Sequence, residues 1–145
     1  MALLRSGIAD WPPQHMAIVG SSLGGFYAHV LARQMGCPLV LLNPAVHPAR
    51  DLTGLVGEHT AWHDPAERIH FEPSHIDELR ALEATPAMHK PRTLAVIAQG
   101  DEVLDWREMV AAYGQDRLRL IAGSDHALSD FEAHLPEILA FLGLG

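Results

Sequence analysis

The sequence predicts an α/β fold built on a mainly parallel sheet of about four strands with helices on both faces. Three observations carry this. Four short apolar runs lack the polar alternation of half-exposed strands, helical patterns fill the intervals between them, and a glycine–serine turn joins the first run to the first long helix. With 145 residues, 48% of them hydrophobic, the chain is long enough for one domain with a real core and too short for two.

Met1–Trp11 reads as the end of a helix that precedes the first strand. The four runs are Met16–Gly20, Pro38–Asn43, Thr93–Gln99 and Leu118–Ala122, each rich in Val, Ile or Leu, as buried parallel strands are. Leu23–Met35 is helical and closed by Gly36, which suits the left-handed position after a helix end. Ser74–Leu82 follows Pro73, with Ser74 as its cap and Ile76, Leu79 and Leu82 near one face. Trp106–Tyr113 follows Asp105, and Glu108 completes the capping-box spacing. Ser129 and Glu132 repeat that spacing before the last helical region, which Pro136 is expected to split. Strand, helix, strand, helix in this order implies right-handed parallel crossovers. Between the second and third strands, Ala45–Pro91 shows no convincing strand and reads as a lid-like helical insertion.

Residues 16–28 run from an apolar strand through Gly20-Ser21-Ser22-Leu23-Gly24 straight into a helix. A serine placed on such a strand-to-helix turn is held in a strained conformation with its hydroxyl above the sheet edge. Gly20 and Gly24 are expected where strand and helix come too close for side chains, and the Leu23 N–H at the helix start can donate to a developing oxyanion. Ser21 is off the central position, and neither G-x-G-x-x-G nor a P-loop is present. Serine needs a base, expected on the loop after the last strand with an acid between them in sequence. Gly123-Ser124-Asp125-His126 follows that strand, so His126 is the expected base. Asp101 leaves the third strand and is the expected acid. Asp105 is second, because it already has a capping role. Asp125 adjoins His126 and is poorly placed to orient its ring. The expected fold class is then a three-layer α/β-hydrolase fold spanning 1–145 as one domain.

Ten Lys and Arg against eighteen Asp and Glu give a formal charge of -8, and Lys90 is the only lysine. That argues against nucleic-acid binding, which runs on clustered cations. Cys37 is the only cysteine, so no intrachain disulfide is expected. The apolar run at the start is too short for a signal peptide, and no stretch approaches the roughly 20 apolar residues of a membrane span. A cytoplasmic setting is expected. The insertion holds His47, His59, His63, His70 and His75. His59 and His63 have helical ligand spacing but lack the supporting glutamate or cysteines, so no metal is expected. Leu55, Trp62 and Phe71 are candidate substrate walls that core packing explains equally well.

Gly20-Ser21-Ser22-Leu23-Gly24-Gly25-Phe26-Tyr27-Ala28, Asn43-Pro44-Ala45-Val46-His47-Pro48, Gly100-Asp101-Glu102-Val103-Leu104-Asp105-Trp106 and Gly123-Ser124-Asp125-His126-Ala127 together resemble the YqiA-like esterases, a small bacterial family of α/β-hydrolase fold. The resemblance covers essentially the whole chain. It implies a cytoplasmic carboxylic-ester or thioester hydrolase without cofactor, with Ser22, Asp101 and His126 in the triad roles. Family members also begin with a strand and a His-Gly-Phe type loop, which this sequence lacks. Without that strand Met16–Gly20 is expected to be an exposed edge prone to self-association. Without that loop a second oxyanion donor is missing, which raises a second hypothesis: an impaired hydrolase-fold protein acting as a binding module.

Overall fold

In the computed structural model, which describes residues 1–61 and 64–144, the four apolar runs become β1 (Ile18–Ser21), β2 (Leu39–Leu42), β5 (Thr93–Ala98) and β6 (Arg117–Ile121). They form one parallel sheet in the order β1-β2-β5-β6. The helices are α1 (Ala2–Gly7), α2 (Ser22–Met35), α3 (Pro48–Asp51), α4 (Pro73–Glu83), α5 (Trp106–Tyr113) and α6 (Phe131–Leu142). The chain divides into two compact units, one of Met1–Val46 with Ala87–Gly145 and one of His47–Pro86.

The larger unit explains why the central strands show no alternation. Leu39, Leu41, Ala95 and Ile97 pack on one face with Ala28 and Ala32 of α2 and Met109 and Tyr113 of α5. Val40, Leu94, Val96 and Ala98 pack on the other with Ile138 and Phe141 of α6. Both sets are buried, so every residue of β5 must be apolar or small. The flanking strands differ. β1 pairs only with β2 among the described residues, and Val19 is 50% exposed, so β1 is an edge. β6, expected to be buried on both faces, is the opposite edge, with Arg117, Arg119 and Leu120 exposed.

Three local expectations require correction. Pro136 does not split the last helix, for α6 runs unbroken from Phe131 to Leu142. An interior proline costs ~3 kcal/mol, but full burial of side chains such as Ile138 and Phe141 returns about 1.5–3 kcal/mol each. The residue before α6 is Asp130 rather than Ser129, whose N–H and hydroxyl both donate to Asp125. At α4 the cap is Glu72, one residue before Pro73: the box is closed by His75, whose Nδ1 accepts from the Glu72 N–H at 3.1 Å.

The smaller unit is not purely helical. It contains an antiparallel hairpin, β3 (Gly57–Thr60) with β4 (Arg68–Phe71), with His59 opposite Ile69. Both strands are four residues long and mostly exposed, so no apolar face marks them in the sequence. Their cross-strand ties are polar, such as Arg68 Nη1 donating to Thr60 Oγ1 at 2.6 Å. Leu55 and Phe71 lie in this unit, Leu55 48% exposed and the Phe71 ring 5.3 Å from that of His75. Trp62 and His63 lie outside the described residues. No helix among the described residues is long and apolar enough to cross a membrane.

Between α2 and α5, His29 Nδ1 and the Tyr113 hydroxyl share a 3.0 Å hydrogen bond. Burial and the neighbouring Arg33 charge lower the His29 pKa from 6.5 to about 4, while burial pushes Tyr113 up to about 12. The unfolded chain takes up the histidine proton near pH 6.5 and the folded chain only near pH 4. Stability is therefore complete above the first value and falls as pH drops toward the second. Urea midpoints measured across that window should fall more steeply for the native chain than for His29→Gln. Parallel curves would contradict this role of His29.

Candidate active site

Three carboxyl ends of parallel strands converge on one point. β1 runs into Ser22, the first residue of α2. β5 ends at Ala98 just ahead of Asp101, and β6 ends at Ile121 ahead of His126. His126 Nε2 lies 2.9 Å from Ser22 Oγ, and His126 Nδ1 lies 2.8 Å from Asp101 Oδ2. The Asp101 carboxylate is fully buried and the imidazole one-fifth exposed. The ring is thus anchored on its protected side and open on the other.

Ser22 has φ 52, a left-handed conformation that a residue with a Cβ adopts only under strain. The turn is held by contact with its surroundings. A Cβ on Gly20 would stand 2.5 Å from the Gly24 carbonyl oxygen and 2.6 Å from Ala28 Cβ, and one on Gly25 would stand 2.8 Å from Pro44 Cβ. Gly24 was expected to share this constraint and does not, since nothing lies within 4 Å of a Cβ there. Gly24 is exposed in the first turn of α2. Gly24→Ala should therefore be neutral or stabilising by up to about 1 kcal/mol, as alanine favours helices. Gly20→Ala should destabilise by about 1–3 kcal/mol through overpacking. Thermal melts of the two variants check this, and equal melting points would contradict it.

Ser21, which precedes α2, contributes no side-chain cap. The first N–H groups of the helix, Leu23 among them, lack intrahelical partners and sit at its positive end. Developing negative charge beside Ser22 would meet that donor.

Asp101 and Asp105 separate by their partners. Asp101 Oδ1 accepts from the N–H groups of Val103 and Leu104, both at 2.8 Å, which leaves Oδ2 for His126. The Asp105 carboxylate accepts from the Arg107 N–H at 2.9 Å as the cap of α5. Asp125 faces Ser129 rather than the imidazole, and those bonds hold its carboxyl below the usual range.

Several supports of the site escaped sequence reasoning. Glu102 Oε2 accepts the His126 backbone N–H at 3.0 Å. Ser124 Oγ donates to Asp130 Oδ1, and Asp130 Oδ2 is 3.0 Å from His134 Nε2, tying the His126 loop to α6. A Cβ on Gly100 would overlap the Ser124 carbonyl, so at that point the Asp101 and His126 loops meet backbone to backbone. Asn43, fully buried at the end of β2, bonds the end of β5 and the His126 loop. Its placement within an Asn-Pro pair ending an apolar run was the available signal. Among the described residues, no group of three or more His, Cys, Asp and Glu is arranged to hold a metal.

A parallel sheet whose first strand turns through a strained serine into a helix, with a histidine and an aspartate delivered from later strand ends, has the α/β-hydrolase fold. The chain belongs to the uncharacterised protein family UPF0227, which it matches over residues 1–143, in accord with the YqiA-like resemblance of its motifs. A UPF0227 protein of Shewanella loihica is 26% identical over 125 residues, covering 85% of this chain and 62% of its own length. One of Yersinia pseudotuberculosis serotype O:1b is 27% identical over 129 residues, covering 88% and 65%. The chain therefore spans less than two thirds of these relatives. Among solved structures, a protein of Agrobacterium vitis S4 superposes with a TM-score of 0.71 at 20% identity, covering 94% of this chain and 64% of the other. Est1E from Butyrivibrio proteoclasticus gives 0.62 at 20% identity, covering 98% and 68%. At these identities the likeness is one of fold.

Proposed function

We propose that this chain is a serine hydrolase that cleaves a carboxylic ester or acyl thioester through an acyl-enzyme on Ser22. The observation that carries the reading is the unbroken line of contacts from a buried carboxylate through an imidazole to a strained hydroxyl, at 2.8 and 2.9 Å. In this reading Ser22 Oγ attacks the carbonyl carbon while His126 Nε2 takes the hydroxyl proton. The carbonyl oxygen becomes an oxyanion and accepts from the Leu23 N–H. The intermediate collapses as Nε2 passes its proton to the departing alcohol or thiol, which leaves the acyl group on Ser22. Water then attacks that ester while His126 Nε2 removes its proton, and the second oxyanion collapses as Nε2 returns that proton to Ser22 Oγ and the acid departs. Asp101 holds Nδ1–H toward itself and so keeps Nε2 unprotonated and facing Ser22.

The substrate in this reading is a small-molecule ester or thioester, and the scheme uses no cofactor. The reading also takes 1–145 as one hydrolase domain with residues 45–91 as a lid-like insertion, and the β1 edge as a surface for self-association. A fluorophosphonate probe tests the chemistry directly. The folded chain should gain one phosphonyl adduct mapped to Ser22. A folded sample that stays unlabelled at Ser22 overturns the reading.

A further inference from the structure

We propose that Asn43 is a positioning residue for the His126 base: from the end of β2 its carboxamide fixes the His126 loop against the end of β5. The inference rests on the hydrolase reading above and adds to it a residue that touches no reacting atom.

The side chain is fully buried and uses both ends of its amide. Oδ1 accepts from the Ala98 N–H at 2.8 Å, at the last residue of β5 and three residues before Asp101. Nδ2 donates to the carbonyls of Asp125 and His126, each at 3.0 Å. Only an amide offers one acceptor and two donors in this fork, for a carboxylate has no proton to give and a serine has one short donor. The backbone of the same segment completes the link. The Asn43 N–H donates to the Val96 carbonyl at 3.0 Å, and the Ala45 N–H donates to the Ser22 carbonyl at 2.9 Å. Pro44 is the atom cluster against which Gly25 must remain without a side chain. Three residues thus touch the serine turn, the strand that launches the acid and the loop that carries the base.

Asn43 has φ 40, where asparagine is tolerated better than most side chains. The His126 loop has little regular structure of its own, with Gly123 at φ 123, Ser124 at φ 60 and Leu128 at φ 52. Two of its carbonyls are taken by Asn43, one of them that of His126 itself. Loss of those bonds frees the imidazole to drift, and a displacement of about 1 Å can cost on the order of 100-fold in rate.

Two variants test this with opposite structural risks. Asn43→Asp keeps the shape and the acceptor but loses the donors. Asn43→Gly loses all three bonds but relaxes the positive φ. Each is labelled with the fluorophosphonate well below its melting point. Side-chain ¹⁵N NMR of His126 is recorded in parallel, since it reports the tautomer and titration whether or not the chain turns over ester. The expected result is folded protein that still labels to completion, at a rate constant about 10- to 100-fold lower. The pH midpoint of labelling should shift, and the His126 Nδ1–H signal of the native chain should be lost or broadened. Ester KM should change far less than kcat. Folded variants with the native rate constant, pH midpoint and His126 signals overturn the proposal. Failure of both variants to fold overturns it too, for the residue is then a folding determinant. A native chain that fails to label refutes the hydrolase reading instead, and the NMR comparison still decides the role of Asn43.

Discussion

Ser22→Ala is expected to reduce ester turnover by roughly 10³–10⁶-fold with the fold unchanged. The range is wide because removing a nucleophile leaves whatever the oxyanion donor and substrate binding still supply. The Leu23 N–H survives the substitution, since α2 begins at the same place. A second variant separates chemistry from strain. Ser22 is held at φ 52, and glycine takes that conformation freely. Ser22→Gly should be as inactive as the alanine variant yet more stable, by an amount on the order of 1 kcal/mol or more. For a chain of this size, that is about 3–6 °C in melting temperature. Stability traded for a positioned hydroxyl is the physical signature of a functional turn. Parallel assays and melts check it: an active alanine variant, or a glycine variant that melts below the native chain, would contradict the account.

Asp101→Asn should be nearly as costly, at about 10⁴-fold in kcat. The asparagine can keep its oxygen toward the Val103 and Leu104 N–H groups, so the loop holds. Its NH₂ then replaces Oδ2 opposite His126 Nδ1. A donor in that position favours the tautomer with the proton on Nε2, and that nitrogen can no longer take a proton from Ser22. The control is Asp105→Asn, in which the α5 cap is retained by a side chain nearly as good at that position. Its activity should stay within about twofold of native and its stability within about 1 kcal/mol. Comparable kinetic losses in the two variants would reassign the acid.

The course of α2, β2, β5 and α5 was legible because each buries an apolar pattern with a recognisable end, while β1 and β6 were legible from their short apolar runs although they form the partly exposed edges. Ser22, Asp101 and His126 were legible as candidates for a related reason. A nucleophile, an acid and a base expected after three separate strands need only short-range signals, a G-x-S-x-G turn and two loops of the right order. What escaped was held by polar contacts that neither an apolar pattern nor a motif announces. The β3–β4 hairpin has no apolar face to announce it. Asn43 meets residues more than fifty positions away, and its place in an Asn-Pro pair ending an apolar run was the one local mark of it. Pro136 misled because the local rule for proline takes no account of the apolar face that α6 buries. Gly24 misled because the motif constrains Gly20 and Gly25 through neighbours on other elements, β2's Pro44 segment included, and leaves Gly24 open.

The covalent intermediate is the most direct measure of the central idea. The native chain would be mixed with p-nitrophenyl butyrate, quenched in acid during the first turnover and analysed by intact and peptide mass. The account requires one butyryl group, carried on Ser22, with release of p-nitrophenol in the same step and neither event in Ser22→Ala. Acylation at another residue, or undiminished hydrolysis by the alanine variant, would contradict it.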